Sequence, residues 1–241
     1  METGSGKASV MATSLRESKR QPTPALENGD QLDQKAFHAR YEASPSSVRA
    51  ELVGGTVFMS APLKPEHGRY GSRVVHWLVE YELATPGTEV LENTSHILGP
   101  LSEPQPDACL IILPAYGGRT WEDKNGHLHG GPEFIAEIST STESLDLHQK
   151  KRDYEKAGVR EYLVVALRSR QVFWFISRRG KFRELAADSG GIFRSETFPG
   201  LWLDSAALLR RDAKRMLAVL HRGLATPEHA HFVSQLARQR R

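Results

Sequence analysis

Two short apolar runs, residues 108–113 and 134–138, read as strands buried on both faces, and residues 161–167, 171–176 and 182–185 add three more. The last two are joined by the turn Arg178-Arg179-Gly180. Between residues 68 and 84, Val74, Val75, Leu78, Val79 and Leu83 recur at helical spacing, and Thr85-Pro86-Gly87 stops that helix. A second helix is predicted from Thr142 to Ala157, ended by Gly158. Nearer the start, a short helix over 34–41 precedes strands at 49–53 and 56–59, and Gly54-Gly55 between them signals a tight hairpin. Residues 89–98 read as one strand, and 116–132 as a glycine-punctuated loop with a small hairpin around Asn125-Gly126. A terminal helix is predicted over 204–224, with a shorter one after Pro227. The helix over 68–84 is amphipathic and reads as lying over a sheet.

Charge enters this pattern at unusual places. Asp107 opens the first buried run and Glu137 lies inside the second, where an ionised carboxylate costs several kcal/mol unless paired or metal-bound. Asp146, Lys150 and Tyr154 follow at i, i+4 and i+8 and share one face of the next helix. Taken singly, Asp107 could cap a turn, Glu137 could pair with a buried arginine, and Asp146–Lys150 could be a surface ion pair. Taken together, two strand acids and a nearby ammonium suit a hard cation and phosphodiester hydrolysis, since Mg2+ is held by one or two carboxylates plus waters and phosphates.

Composition adds bounds. With 241 residues and 39% hydrophobic content, the chain can form one core without a second domain. Residues 1–33 are polar and aperiodic and are expected to be a disordered tail, followed by a main domain over 34–209. Residues 210–241 carry eight Lys/Arg against Asp212 and Glu228, and are expected to be a basic helical extension, either a solvated face or a nucleic-acid contact. The net charge of +3 permits a phosphate-bearing partner without demanding one. The single cysteine, Cys109, excludes an internal disulfide, and no stretch reaches the roughly 18–20 apolar residues of a membrane span. A cytoplasmic protein with no membrane partner is expected.

Other chemistries find little support. Gly4-Ser5-Gly6-Lys7 lacks the spacing and the Ser/Thr of a phosphate loop, and there is no Gly-x-Ser-x-Gly elbow or dinucleotide fingerprint. His127, His129 and His148 raise a zinc alternative, weakened by the lone cysteine and the absence of His-x-x-x-His on a helix.

Several segments in order carry a family resemblance: Glu51-Leu52-Val53-Gly54-Gly55, Met59-Ser60-Ala61-Pro62 with His67, Pro106-Asp107, Glu137-Ile138-Ser139, Asp146-x-x-x-Lys150-x-x-x-Tyr154-x-x-x-Gly158, Glu161-Tyr162, and Phe198 to Leu203. Over roughly residues 36–209 the chain resembles the Uma2-like family of restriction endonucleases, a branch of the PD-(D/E)XK nuclease superfamily. The resemblance implies an α/β (α+β) fold: a restriction-endonuclease-like core with a central mixed β-sheet flanked by helices, an N-terminal β-hairpin and C-terminal helices. It implies Asp107 and Glu137 as ligands of Mg2+, with Mn2+ as a substitute, and Lys150 as the superfamily lysine moved onto the helix. Lys151 is a weaker competitor for that role, and the chain departs from the superfamily spacing in having Ser139 rather than lysine two residues after Glu137. Glu51, His67, Asp146 and Tyr154 are implied as supporting residues. The expected activity is hydrolysis of DNA by a protein that could act as a homodimer; the alternative is an inactive nuclease-like module that binds nucleic acid or a protein partner.

Overall fold

A computed structural model describes Met1 and residues 23–240. Helix α1 (Gln34–Glu42) begins at Asp33, whose carboxylate accepts from the Ala36 N–H. Strands β1 (Ala50–Val53) and β2 (Thr56–Met59) form the expected hairpin, with Gly54 and Gly55 both at positive φ, as its two-residue turn requires. Helix α2 (Pro65–Ala84) starts three residues earlier than the apolar spacing indicates, because Pro65 is preorganised for a first helical position. The strand expected over 89–98 is two, β3 (Thr88–Glu92) and β4 (His96–Ile97), separated at Asn93, whose φ of 50° is left-handed. After β5 (Ala108–Ile112), strands β6 (Trp121–Glu122) and β7 (Leu128–His129) make the small hairpin around Asn125-Gly126, and β4 joins it in parallel with β7.

Strand β8 (Phe134–Ser139) is followed by a π-helical turn, Leu145–Lys150, that continues into α3 (Lys151–Lys156) and returns in β9 (Glu161–Ala166). Strands β10 (Gln171–Arg178), β11 (Lys181–Glu184), β12 (Ile192–Arg194) and β13 (Trp202–Asp204) complete the strand set, the last two forming a hairpin that alternation alone does not announce. The single helix expected over 204–224 is broken at Arg211 (φ 61°) into α4 (Ser205–Leu209) and α5 (Ala213–Leu224), and Asp212 caps the second piece. Helix α6 (Pro227–Gln239) closes the described chain.

The central sheet has the order β11–β10–β9–β8–β5–β3 and is mixed: β8 and β9 are parallel, joined by the π turn and α3, and the other neighbours are antiparallel. Every residue of β5, β8 and β9 is buried, which explains their continuous apolar runs. Trp77 and Tyr81 of α2 pack on one face with Phe134, Leu163 and Trp174. On the other face Ile135, Val164 and Tyr162 meet Tyr154 of α3. Met216, Leu220 and Leu236 of α5 and α6 join the first of these clusters, while Lys214, Arg222 and Arg238 stay exposed.

The disorder expected for residues 1–33 does not extend to 23–33; residues 2–22 lie outside the described residues. Gly29 and Leu32 donate backbone N–H groups to Val57 and Gly55, and Leu26 is buried with Phe37, Leu52 and Val57. The polar composition of this segment conceals strand-like pairing to the hairpin, which supplies the apolar partners.

Candidate active site

Strands β5 and β8 run antiparallel with Ala108 facing Ala136, so Asp107 lies opposite Glu137 one step further along. The Ile138 N–H donates to Asp107 Oδ2 at 2.7 Å, tying the two positions together. Alternation along β8 sends Phe134, Ala136 and Ile138 to the α2 face and leaves Glu137 on the α3 face with Ile135. Like charges directly opposite across a strand pair repel, so this arrangement needs a compensating cation.

Lys150 supplies one positive charge. Its Nζ donates to Glu51 Oε1 and to Glu137 Oε1, each at 3.0 Å, and lies 2.8 Å from Glu51 Oε2 and 3.8 Å from Asp146 Oδ1. The π turn makes this reach possible by aiming Lys150 and Asp146 into the sheet together; such turns recur at functional sites. Glu51 comes from β1, and its Oε1 also accepts from the Gln105 N–H at 2.8 Å. The hairpin is locked to the helix on the far side of its turn, where the Gly54 N–H donates to Asp153 Oδ2 at 2.7 Å. A side chain at Gly54 would collide with Gln149.

The remaining predicted residues converge on the same cluster. Tyr154 OH donates to Glu137 Oε1 at 2.7 Å, so Lys150 and Tyr154 share one oxygen of that carboxylate. His67 Nε2 lies 3.1 Å from Asp107. Asp146 Oδ2 accepts from Ser139 Oγ at 2.6 Å and Thr142 Oγ1 at 2.7 Å. Ser139, two residues after Glu137, thus holds the acid that lies beside Lys150. Lys151 does not join the cluster: its ammonium sits over the Phe175 ring, 3.6 Å from the centroid. His148 is exposed on the π turn. Sequence reasoning missed Gln105, Ser139 and Thr142 as supports, and Tyr162, whose OH donates to the Asp146 carbonyl at 3.0 Å; only the Ser/Thr cluster before the helix hinted at them.

Four carboxylates therefore surround one ammonium and one imidazole, nearly all out of solvent. Burial pushes the Glu137 pKa well above the usual carboxylate range, and Asp107, Asp146 and Glu51 reinforce that shift against the pull of Lys150. For Lys150, burial opposes the charge, but Glu137, Glu51 and Asp146 outweigh it and hold the pKa well above that of a free lysine. The hydrogen bond to Asp107 raises the His67 pKa against the opposing effect of burial. The surplus of negative charge favours uptake of a proton or a further cation.

A hard cation fits this donor set. The ligands available beside Asp107 and Glu137 are carboxylate oxygens, and both hydrogen bonds to Glu137 fall on Oε1, leaving Oε2 for another partner. Among the described residues these acids do not form a set of three whose ligand atoms all converge within 4.8 Å; His38, Glu42 and His127 do. A pair of carboxylates nevertheless suffices for Mg2+, which keeps waters and takes substrate oxygens.

The model of the Uma2 family, described as "Putative restriction endonuclease", matches residues 14–206. The chain belongs to the Uma2 family. A crystal structure of "a putative nuclease belonging to DUF820" from Anabaena variabilis ATCC 29413 shares the fold, with a TM-score of 0.54 at 12% identity over 72% of this chain and 97% of that one. No curated protein matches this Uma2 chain. Family and fold together establish a restriction-endonuclease-like architecture, as the ordered sequence motifs imply. Among the described residues of this Uma2 protein, no helix is long and apolar enough to cross a membrane.

Proposed function

We propose that this Uma2 protein is a divalent-cation-dependent endonuclease that hydrolyses DNA phosphodiester bonds. The observation that carries the reading is the opposed Asp107–Glu137 pair, with Lys150 bonded to Glu137 at 3.0 Å. Asp107 and Glu137 would hold Mg2+, with Mn2+ as a substitute. Mg2+ bound there supplies Lewis acidity toward a phosphoryl oxygen and acidifies water.

The chain's own groups have distinct tasks. Glu51 and Glu137 hold the Lys150 ammonium in place, where it would orient a water or offset phosphate charge. Tyr154 fixes the Glu137 carboxylate through Oε1. His67 steadies Asp107, and Asp146, held by Ser139 and Thr142, adds negative charge beside Lys150. Two copies acting on opposite strands would account for duplex cleavage, and sedimentation of the protein on a short duplex would reveal such a pair.

The test is incubation of supercoiled plasmid with the protein in Mg2+ or in EDTA, alongside Asp107→Asn and Glu137→Gln. Nicking that needs Mg2+ and disappears in both variants supports the reading; equal nicking in EDTA or in either variant rejects it. Salt-dependent DNA binding without cleavage by the wild type would favour a nuclease-like binding module instead.

A further inference from the structure

The β6–β7 hairpin and α1 bring together a second set of ligand-type side chains that the acidic site does not use. His38 and Glu42 are one turn apart on α1 and meet His127 of the hairpin, with one ligand atom from each lying within 4.8 Å of the others. The two imidazoles contact edge to face, with ring centroids 4.4 Å apart. Glu42 Oε1 lies 3.8 Å from His127 Nε2.

The surroundings of these imidazoles point the same way. His38 Nδ1 lies 2.9 Å from Glu103 Oε1, and Glu103, a buried acid, is fixed through its other oxygen by Gln34 Nε2 at 2.8 Å. His127 Nδ1 lies 3.5 Å from Asp123 Oδ1, which is held by the backbone N–H groups of Asn125 and His127. A carboxylate hydrogen-bonded at Nδ1, as Glu103 is at His38, fixes the proton there and leaves Nε2 as the basic nitrogen, an arrangement characteristic of metal-binding histidines. Both rings are about three-quarters covered and Glu42 is mostly exposed, so an ion can enter from solvent.

We propose that His38, Glu42 and His127 form a transition-metal site, separate from the acidic site, that takes Zn2+ with three protein ligands and clamps the β6–β7 hairpin to α1. Two imidazoles and one carboxylate suit Zn2+ with a fourth position open to water, and imidazole ligation disfavours Mg2+. The clamp has a route to the other site. Glu103, which orients His38, exchanges backbone hydrogen bonds with Leu52, and Gln105 two residues on donates to Glu51, the partner of Lys150.

The full chain would be titrated with Zn2+ by calorimetry and with Co2+ by visible absorption, using wild type, His38→Ala, His127→Ala, Glu42→Gln, Glu103→Gln and Glu137→Gln. Circular dichroism would confirm that each folds; Glu42 is exposed enough for its variant to be tolerated. The expected result is one equivalent bound by wild type and by Glu137→Gln, with ligand-field bands for Co2+. Binding should be lost in His38→Ala and His127→Ala, and weakened roughly 10–100-fold in Glu103→Gln, which removes only the orienting charge. Zn2+ should raise the thermal midpoint of wild type but not of His127→Ala. No uptake by wild type, uptake unchanged in the two histidine variants, or uptake abolished by Glu137→Gln would overturn the proposal.

Discussion

Replacing Lys150 by Met should cost the fold about 3–5 kcal/mol at pH 8, the usual penalty for removing one partner of a buried ion pair. Methionine fills much the same space, so the loss is chiefly electrostatic. The ammonium contacts Glu51 and Glu137 at 2.8 and 3.0 Å and stands 3.8 Å from Asp146, and all four side chains are nearly inaccessible. Without it the carboxylates face one another uncompensated. At roughly 2–4 °C per kcal/mol for a chain of this size, the melting temperature should fall by about 6–20 °C. The loss should shrink on acidification. Burial already holds the Glu137 pKa high, and removing Lys150 removes the positive charge that pulls it down. A raised carboxyl pKa means the folded variant binds a proton that the unfolded chain has released, so its stability recovers as pH falls through the folded value. Urea denaturation of wild type and Lys150→Met at pH 8, 6.5 and 5 measures both effects. A difference below about 1 kcal/mol at pH 8, as for a solvent-screened pair, or one that widens toward pH 5, would refute the reasoning.

Three further perturbations probe the same framework. Tyr154→Phe removes the 2.7 Å hydrogen bond to Glu137 and should cost about 1.5–3 kcal/mol in chemical denaturation, with far-UV circular dichroism unchanged. Gly118→Ala would place a Cβ within 1.6 Å of the Ile112 carbonyl oxygen, a clash with main chain that should destabilise by about 3–5 kcal/mol, seen as a lowered urea midpoint. His67→Asn tests the contact with Asp107: because the folded His67 pKa is raised above 6.5, the wild type's advantage should be full below that pH and fade as pH rises through the folded value, measurable from melting temperatures across pH 5–9.

The strand and helix framework was largely legible because burial on both faces writes continuous apolar runs at β5, β8 and β9, and the single-face burial of α2 writes a helical one. Asp107 and Glu137 stood out because the first opens such a run and the second lies inside one. The helix after Thr142 was visible, yet its π turn was not, since the spacing of Asp146, Lys150 and Tyr154 fits either helical form. What local patterns could not show was contact across long separations. Glu51 reaches Lys150 from 99 positions away, and His38 meets His127 across the fold. The breaks at Asn93 and Arg211 were hidden for another reason: both use left-handed backbone at residues other than glycine.

The central claim is that Asp107 and Glu137 bind a catalytic divalent cation, and it is tested most directly by calorimetric titration of Mg2+ and Mn2+ into wild type and Glu137→Gln, with plasmid nicking followed in the same samples. Saturable binding and nicking by the wild type, both lost in the folded variant, are the predicted result. Binding and nicking retained by Glu137→Gln, or neither in the wild type, would contradict it.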